Sequence, residues 1–302
     1  MNGYAGIDLL AEPERWREVD ARLAATGVTT WLPTLISAPP ETTLHALRAI
    51  DPPVHLEGPF LELPGAHPPD CLRPPDPELL SRLLDAGRVA VVTLAPELPR
   101  ALELVDELVR RGIVASLGHS RADARVAHAA FDRGARAVTH LFNAMAPFSH
   151  RAPGLAGAAL ARQDVTVQLI CDGHHLADET VLLAWGAARG RLAVVSDAIA
   201  AAGEGDGSFR LGSLSVTVRD GVARREGGAL AGSVVGLPEA LRRLIALGVP
   251  LVDAMAAATS VPARLLGRRD VGTLQPGARA DVVVLDEGHA VSRVVRAGQL
   301  VG

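Results

Sequence analysis

The chain has 302 residues, enough for one large α/β unit with a small appendage, and its 30 Lys and Arg against 34 Asp and Glu leave a formal charge of -4. With no basic block to neutralise a phosphate backbone, nucleic acid is excluded as a partner. Cys71 and Cys171 stand alone, without paired zinc-binding spacing or a disulfide framework, which fits a reducing cytoplasm.

The opening residues include Asp8, Glu12 and Glu14, where a secretory leader needs a basic end and an apolar centre. No apolar run reaches the roughly 18 residues that cross a bilayer. The expectation is a cytoplasmic protein that does not enter a membrane.

In chain order, Asn2-Gly-Tyr-Ala-Gly6 is a Gly-rich turn, and the helical spacing of Trp16, Val19 and Leu23 stops at Gly27. Residues 28–35 are then rich in β-formers. The alternation continues with helix 41–49, strand 54–61, helix 76–86, strand 89–95, helix 99–111 and strand 113–118. Helix 122–133 and strand 136–141 follow, then a loop holding Pro147, Arg151, Pro153 and Gly154, strand 165–171, helix 178–189 and strand 192–197. Strands separated by single amphipathic helices predict right-handed βαβ units and a parallel sheet. Seven strands can be counted where a closed barrel needs eight, so the expected fold is a TIM-type (β/α)8 barrel lacking its first strand.

After Asp197 the pattern changes. Residues 209–218 followed by Arg219-Asp-Gly221 predict a β-hairpin insertion at about 206–228. Helices are expected at 237–247 and 250–265. The segments 272–285 and 291–301 read as short strands outside the barrel, which divides the chain into a barrel at 1–269 and a strand segment at 270–302.

Four strands stop on a titratable residue, in Val54-His-Leu-Glu-Gly-Pro59, Leu117-Gly-His-Ser120, Val138-Thr-His-Leu-Phe-Asn-Ala-Met145 and Val195-Ser-Asp-Ala198. In a parallel barrel these ends share one mouth, where catalytic groups sit. Glu57, His119 and His140 make a good ligand set for one divalent cation, zinc first, with iron, manganese or cobalt as alternatives. Such a set leaves room for a water to be activated against a carbonyl. Asp197 reads either as a helix cap or as the proton carrier of that reaction. His55 shares a strand face with Glu57 and supports the ligands or simply packs. His67, in a Pro-rich loop, is by default solvated. Asn143, Arg151 and His175 could hold a phosphate or carboxylate. His45, His128, His150 and His289 are assigned no chemistry.

Beyond spacing, an ordered set of motifs resembles the N-acetylglucosamine-6-phosphate deacetylase family of the amidohydrolase superfamily. These are His55-Leu-Glu-Gly-Pro-Phe60, Gly65-Ala-His67, Gly118-His-Ser120, Thr139-His-Leu-Phe-Asn-Ala-Met145, Arg151-Ala-Pro-Gly-Leu-Ala-Gly157, Asp172-Gly-His-His175, Ser196-Asp-Ala198 and Leu230-Ala-Gly-Ser233. The resemblance implies hydrolysis of the acetamide of N-acetylglucosamine 6-phosphate to acetate and glucosamine 6-phosphate. It implies Glu57, His119 and His140 as metal ligands and Asp197 as acid/base. It also implies Ala66 and His67 near the scissile amide, Asn143, the Ala144 backbone, Arg151 and His175 on the sugar hydroxyls and phosphate, and Leu230, Ala231 and Gly232 over the acetyl side. A homodimer is implied, because relatives draw part of the phosphate site from the neighbouring subunit.

Family members carry further residues upstream, forming strands of a small β-sandwich and a first barrel strand that ends in a Gln-x-Asn or His-x-His pair. Asn2-Gly-Tyr-Ala-Gly6 resembles the turn after that strand, so a start codon placed too late, an open seam, exposed edges on the C-terminal sandwich strands and no second metal site are expected. Two rival readings are an amidohydrolase that opens a cyclic amide and a catalytically impaired sugar-phosphate-binding homologue. The first commonly uses a bridging lysine, and no lysine occurs at a strand end. The second should lose the metal set or Asp197, and both are kept.

Overall fold

The protein is described by a computed structural model covering residues 1–301. Two short strands, β1 (Gly3–Tyr4) and β2 (Ile7–Asp8), pair antiparallel before the first long helix, α1 (Trp16–Ala25). Seven parallel strands then form one curled sheet in sequence order: β3 (Thr34–Leu35), β4 (Val54–Glu57), β5 (Val89–Leu94), β6 (Val114–Leu117), β7 (Ala137–Val138), β8 (Thr166–Ile170) and β9 (Leu192–Val195). Between them run α2 (Pro40–Ala49), α3 (Pro77–Ala86), α4 (Ala101–Arg110), α5 (Ala124–Asp132), α6 (Gly154–Ala161) and α7 (Asp178–Ala187). The strands are apolar because helices cover one sheet face and the barrel interior the other. All four residues of β4 are buried. The helices start where the chemistry asks: Asp76 accepts from the Glu78 and Leu79 amides with Pro77 in the first turn, and Asp123 accepts from Val126 N.

The sheet order runs from β3 to β9 without those two edges pairing, the seam expected of a barrel one strand short. Residues 1–3 lie in it. Thr34 N donates to Met1 O at 2.9 Å on one side, and Asn2 N donates to Ala198 O at 2.7 Å on the other.

Several details depart from the sequence reading. α6 falls where a loop was expected, because Gly154-Leu-Ala-Gly-Ala-Ala-Leu-Ala161 has no polar face to reveal a helical period. The insertion has three strands, β10 (Gly207–Leu211), β11 (Leu214–Arg219) and β12 (Val222–Arg225), where two were expected. After α8 (Leu237–Ala246) the helix expected at 250–265 is divided at Thr259 into α9 (Leu251–Ala258) and α10 (Ser260–Leu265). Thr259 has ψ of -83°, outside the helical range, and its hydroxyl turns back to Met255 O.

The chain closes with an antiparallel sheet of β13 (Val282–Leu285), β14 (Val291–Arg296) and β15 (Gln299–Leu300). Arg296 grips Asp20 of α1 with two hydrogen bonds of 2.6 and 2.7 Å, and Trp31 Nε1 donates to the same carboxylate at 2.8 Å. Burial raises the Asp20 carboxyl, but Arg296 and Trp31 outweigh it and hold the group below its ordinary value.

Arg191 ties the outer helices to the sheet. Its buried guanidinium donates to the carbonyls of Ala159, Val165, Leu160 and Ala187 at 2.6–3.1 Å, closing the ends of α6 and α7. Arg191→Met keeps the stem but leaves buried carbonyls unpaired, and should cost about 3 kcal/mol. Differential scanning fluorimetry should show a fall in Tm of roughly 5–10 °C.

Candidate active site

The parallel strands deliver their last residues to one mouth, and each turns sharply there. His119 follows β6 through Gly118, where a Cβ would stand 3.0 Å from Thr93 and 3.1 Å from Thr139. His140 and Asp197 each lie two residues beyond their strands, β7 and β9. All three have left-handed backbones, with φ of +50°, +29° and +49°. Such conformations are uncommon for side-chain-bearing residues and concentrate where function fixes them.

Glu57, His119 and His140 form a tight triangle. Glu57 Oε1 lies 3.0 Å from His119 Nε2 and 2.9 Å from His140 Nε2, and the two nitrogens are 3.0 Å apart. All three side chains are buried. His119 Nδ1 donates to Leu63 O at 2.7 Å, which leaves the Nε2 lone pair facing its neighbours. Three donor atoms of these types at these separations can share one ion at the roughly 2.1 Å that zinc keeps to nitrogen and oxygen. Among the described residues this is the one cluster of three such groups that could hold a metal.

Electrostatics follow from burial. Burial lowers His119 to about 4, with the neighbouring His67 and His140 acting in the same direction. Burial also opposes the charged form of His140, but the hydrogen bond and charge of Glu57, helped by Asp197, raise it to about 9. Glu57 is itself pushed up by burial and brought well below its ordinary value by the surrounding imidazoles.

A chain of hydroxyls runs through the barrel beside this triangle. His55 Nε2 is 2.7 Å from Thr93 Oγ1, which is 2.7 Å from Thr139 Oγ1, itself 2.6 Å from Ser116 Oγ. Thr139 immediately precedes His140, so the hydrogen-bonded chain links His55 on β4 to the residue next to a corner of the triangle. Burial lowers His55 to about 4, so it is neutral at pH 7.

Around the triangle a cavity of about 140 Å³ is lined by Glu57, His119, His140, Asp197, His67, Ala66, Asn143, Ala144, His175, Leu230 and Gly232. His67 is 2% exposed, which corrects the expectation of a solvated loop histidine. Ser37 N donates to its Nδ1 at 3.1 Å, so the proton sits on Nε2, 3.8 Å from Glu57 Oε1. His175 Nδ1 meets Asp172 Oδ2 at 2.7 Å, and Asp172 also accepts from the His174 and His175 amides. Burial opposes the Asp172 charge, but these partners hold it below the usual carboxylate range.

Gly232 lines the cavity beside Asp197. A Cβ there would meet Ile199 at 2.6 Å and Asp197 O at 3.0 Å, while Ser233 N donates to Asp197 O at 3.0 Å. Ala231 is fully buried. Arg151 is the exception, exposed and outside the cavity lining of its own chain. Sequence reasoning missed Asn2, Ile36, Ile170 and Leu211, which also line the cavity. A polar residue just before a Gly-rich turn was a usable signal for Asn2, whereas the apolar three carried none.

A curled parallel β/α sheet with a buried Glu/His/His triangle and a carboxylate at its strand ends defines a metal-dependent hydrolase. Residues 20–301 match the Amidohydrolase family. The chain is 36% identical to N-acetylgalactosamine-6-phosphate deacetylase of Escherichia coli O157:H7, over 99% of this chain and 85% of that protein. It is 38% identical to human N-acetylglucosamine-6-phosphate deacetylase, over 100% and 81%. The Mycobacterium smegmatis N-acetyl-D-glucosamine-6-phosphate deacetylase solved with N-acetyl-D-glucosamine-6-phosphate superimposes with a TM-score of 0.94 at 39% identity, over 100% and 84%. The chain belongs to the N-acetylglucosamine-6-phosphate deacetylase family.

Proposed function

We propose that the protein hydrolyses the acetamide of N-acetylglucosamine 6-phosphate to acetate and glucosamine 6-phosphate, using one divalent cation, zinc in first place, held by Glu57, His119 and His140. The observation that carries this reading is the meeting of that ligand triangle with Asp197 in one cavity of a chain from this family. The bound ion supplies polarisation of the amide carbonyl and easier deprotonation of water. Asp197 takes a proton from the attacking water and returns it to the leaving amine nitrogen. His67 presents its Nε2–H to the carbonyl oxygen. Asn143, the Ala144 backbone and His175 orient the sugar hydroxyls and phosphate, and Leu230, Ala231 and Gly232 close over the acetyl group. Arg151, on the surface of its own subunit, serves the phosphate held by a neighbour in a cytoplasmic homodimer. Residues 270–301 form a small strand unit beside the barrel at 1–269.

A second reading, N-acetylgalactosamine 6-phosphate, is favoured by the E. coli relative of that name. An amidohydrolase with a lysine bridging two metals is disfavoured, since the chain contains no lysine. Acetate release should be measured with both N-acetylhexosamine 6-phosphates and with unphosphorylated N-acetylglucosamine. Turnover of the glucosamine phosphate is expected to exceed that of the free sugar by at least about a hundredfold, the differential of one well-placed anion contact. Preference for the galactosamine phosphate would establish the second reading, and equal turnover of the free sugar would defeat both.

A further inference from the structure

We propose that Asn2 is a positioning residue of this reaction, holding Asp197 with one end of its carboxamide and the attacking water with the other; the inference rests on the hydrolytic reading above. Asn2 sits in the barrel seam, where its backbone N donates to Ala198 O at 2.7 Å and the Gly3 amide reaches the same oxygen at 3.3 Å. Gly3 permits that approach, because a Cβ there would fall 2.2 Å from Ile7 O and 2.9 Å from Ala200 N. The same dipeptide step thus fixes the backbone beside Asp197 and brings the Asn2 side chain to the level of the strand ends.

The residue is 6% exposed and lines the cavity with the ligand triangle and Asp197. Its Nδ2 donates to Asp197 Oδ1 at 3.3 Å. An ionised carboxylate only accepts, so this bond fixes which end of the carboxamide is which. The remaining oxygen, Asn2 Oδ1, is buried and has no hydrogen-bond partner in the protein. A buried acceptor left alone is costly, and such atoms persist where a ligand completes them. The donor that the reaction brings to this wall is a water O–H, next to the carboxylate that must take its proton. The amide occupies Asp197 Oδ1 and leaves Oδ2 for proton transfer, while Asn2 Oδ1 accepts from the other hydrogen of the same water and sets its lone pair towards the carbonyl carbon.

Asn2→Leu keeps the branch at Cγ, with somewhat more bulk, and removes both polar ends, whereas Asn2→Asp keeps the shape and replaces the donor with a second acceptor. In the full chain, each is expected to lower kcat about 10- to 100-fold while KM, metal content and Tm stay close to the parent's. A side chain that merely packs would shift Tm or metal content; one that merely grips the sugar would raise KM. A kcat within about twofold of the parent in either folded variant, or a loss that follows KM or metal content, overturns the proposal. If Asn2→Leu does not fold, Asn2→Asp decides alone. Independently of turnover, a ¹⁵N spectrum should show one Asn2 side-chain amide proton shifted downfield and returning towards the free amide position in Asp197→Ala. A parent protein that releases no acetate from either sugar phosphate sinks the functional reading, and the amide resonance then judges the Asn2–Asp197 contact: an unchanged position in Asp197→Ala overturns it.

Discussion

Asp197→Asn should reduce acetate release by about a thousandfold or more while the variant keeps its metal and its melting temperature. The carboxylate is half-buried at the cavity wall, and its backbone is pinned by Ser233 N and by the neighbouring contact between Asn2 N and Ala198 O. Asparagine fits the same space, so geometry is preserved and only the capacity to carry a proton is lost. General acid–base catalysis contributes typically 10²–10⁴-fold. Because this group serves both the water and the leaving amine, the loss should lie in the upper half of that range. Steady-state kinetics with elemental analysis of the same sample tests the point. A variant that retains a tenth of the parent kcat with full metal content would remove Asp197 from the proton-transfer role.

Glu57→Gln should strip the ion and with it the activity. Glu57 supplies the single negative charge of a triangle whose other corners are imidazoles, and its desolvation is offset by those partners. Replacing it with an amide should lower metal affinity by at least about a hundredfold, the upper end of what removing a ligand's supporting partner already costs. Protons compete at the same atoms. In the chelated protein Glu57 holds His140 protonated up to about pH 9, above its ordinary 6.5, so an incoming ion must displace that proton. Parental metal affinity should therefore rise about tenfold per unit as pH increases towards 9 and flatten above it. The same shift makes the Glu57–His140 pair stabilise the metal-free fold fully below pH 6.5, a contribution lost as pH rises through about 9. Competition against a chromophoric chelator between about pH 6.5 and 9.5 reads the slope. A pH-independent affinity, or a Glu57→Gln variant that holds stoichiometric metal, would contradict the assignment.

Much of this was legible because buried parallel strands advertise themselves as short apolar runs, and a titratable residue at the end of such a run can only face the mouth. Glu57, His119, His140 and Asp197 are of this kind. What stayed hidden has physical causes. Asn2 belongs to no periodic element, and its place beside Asp197 depends on a seam that exists only once the sheet has curled. His67 looked solvated because its burial comes from the Ser37 loop, distant in sequence. α6 lacks a polar stripe because it is built only of Gly, Ala and Leu, even on its less covered face of Gly157, Leu160 and Ala161. Leu211 enters the cavity from an insertion whose alternating pattern says which face is apolar, not what that face will meet.

The left-handed backbone shared by His119, His140 and Asp197 also governs how substitutions there must be interpreted. An alanine at any of them inherits a conformation that disfavours every Cβ by roughly 1–2 kcal/mol, whereas a glycine does not. An alanine variant therefore mixes lost chemistry with retained torsional tension, and a β-branched replacement adds more of the second. Comparing glycine with alanine at each of these corners separates the reactive role of the side chain from the energy stored in the turn that carries it.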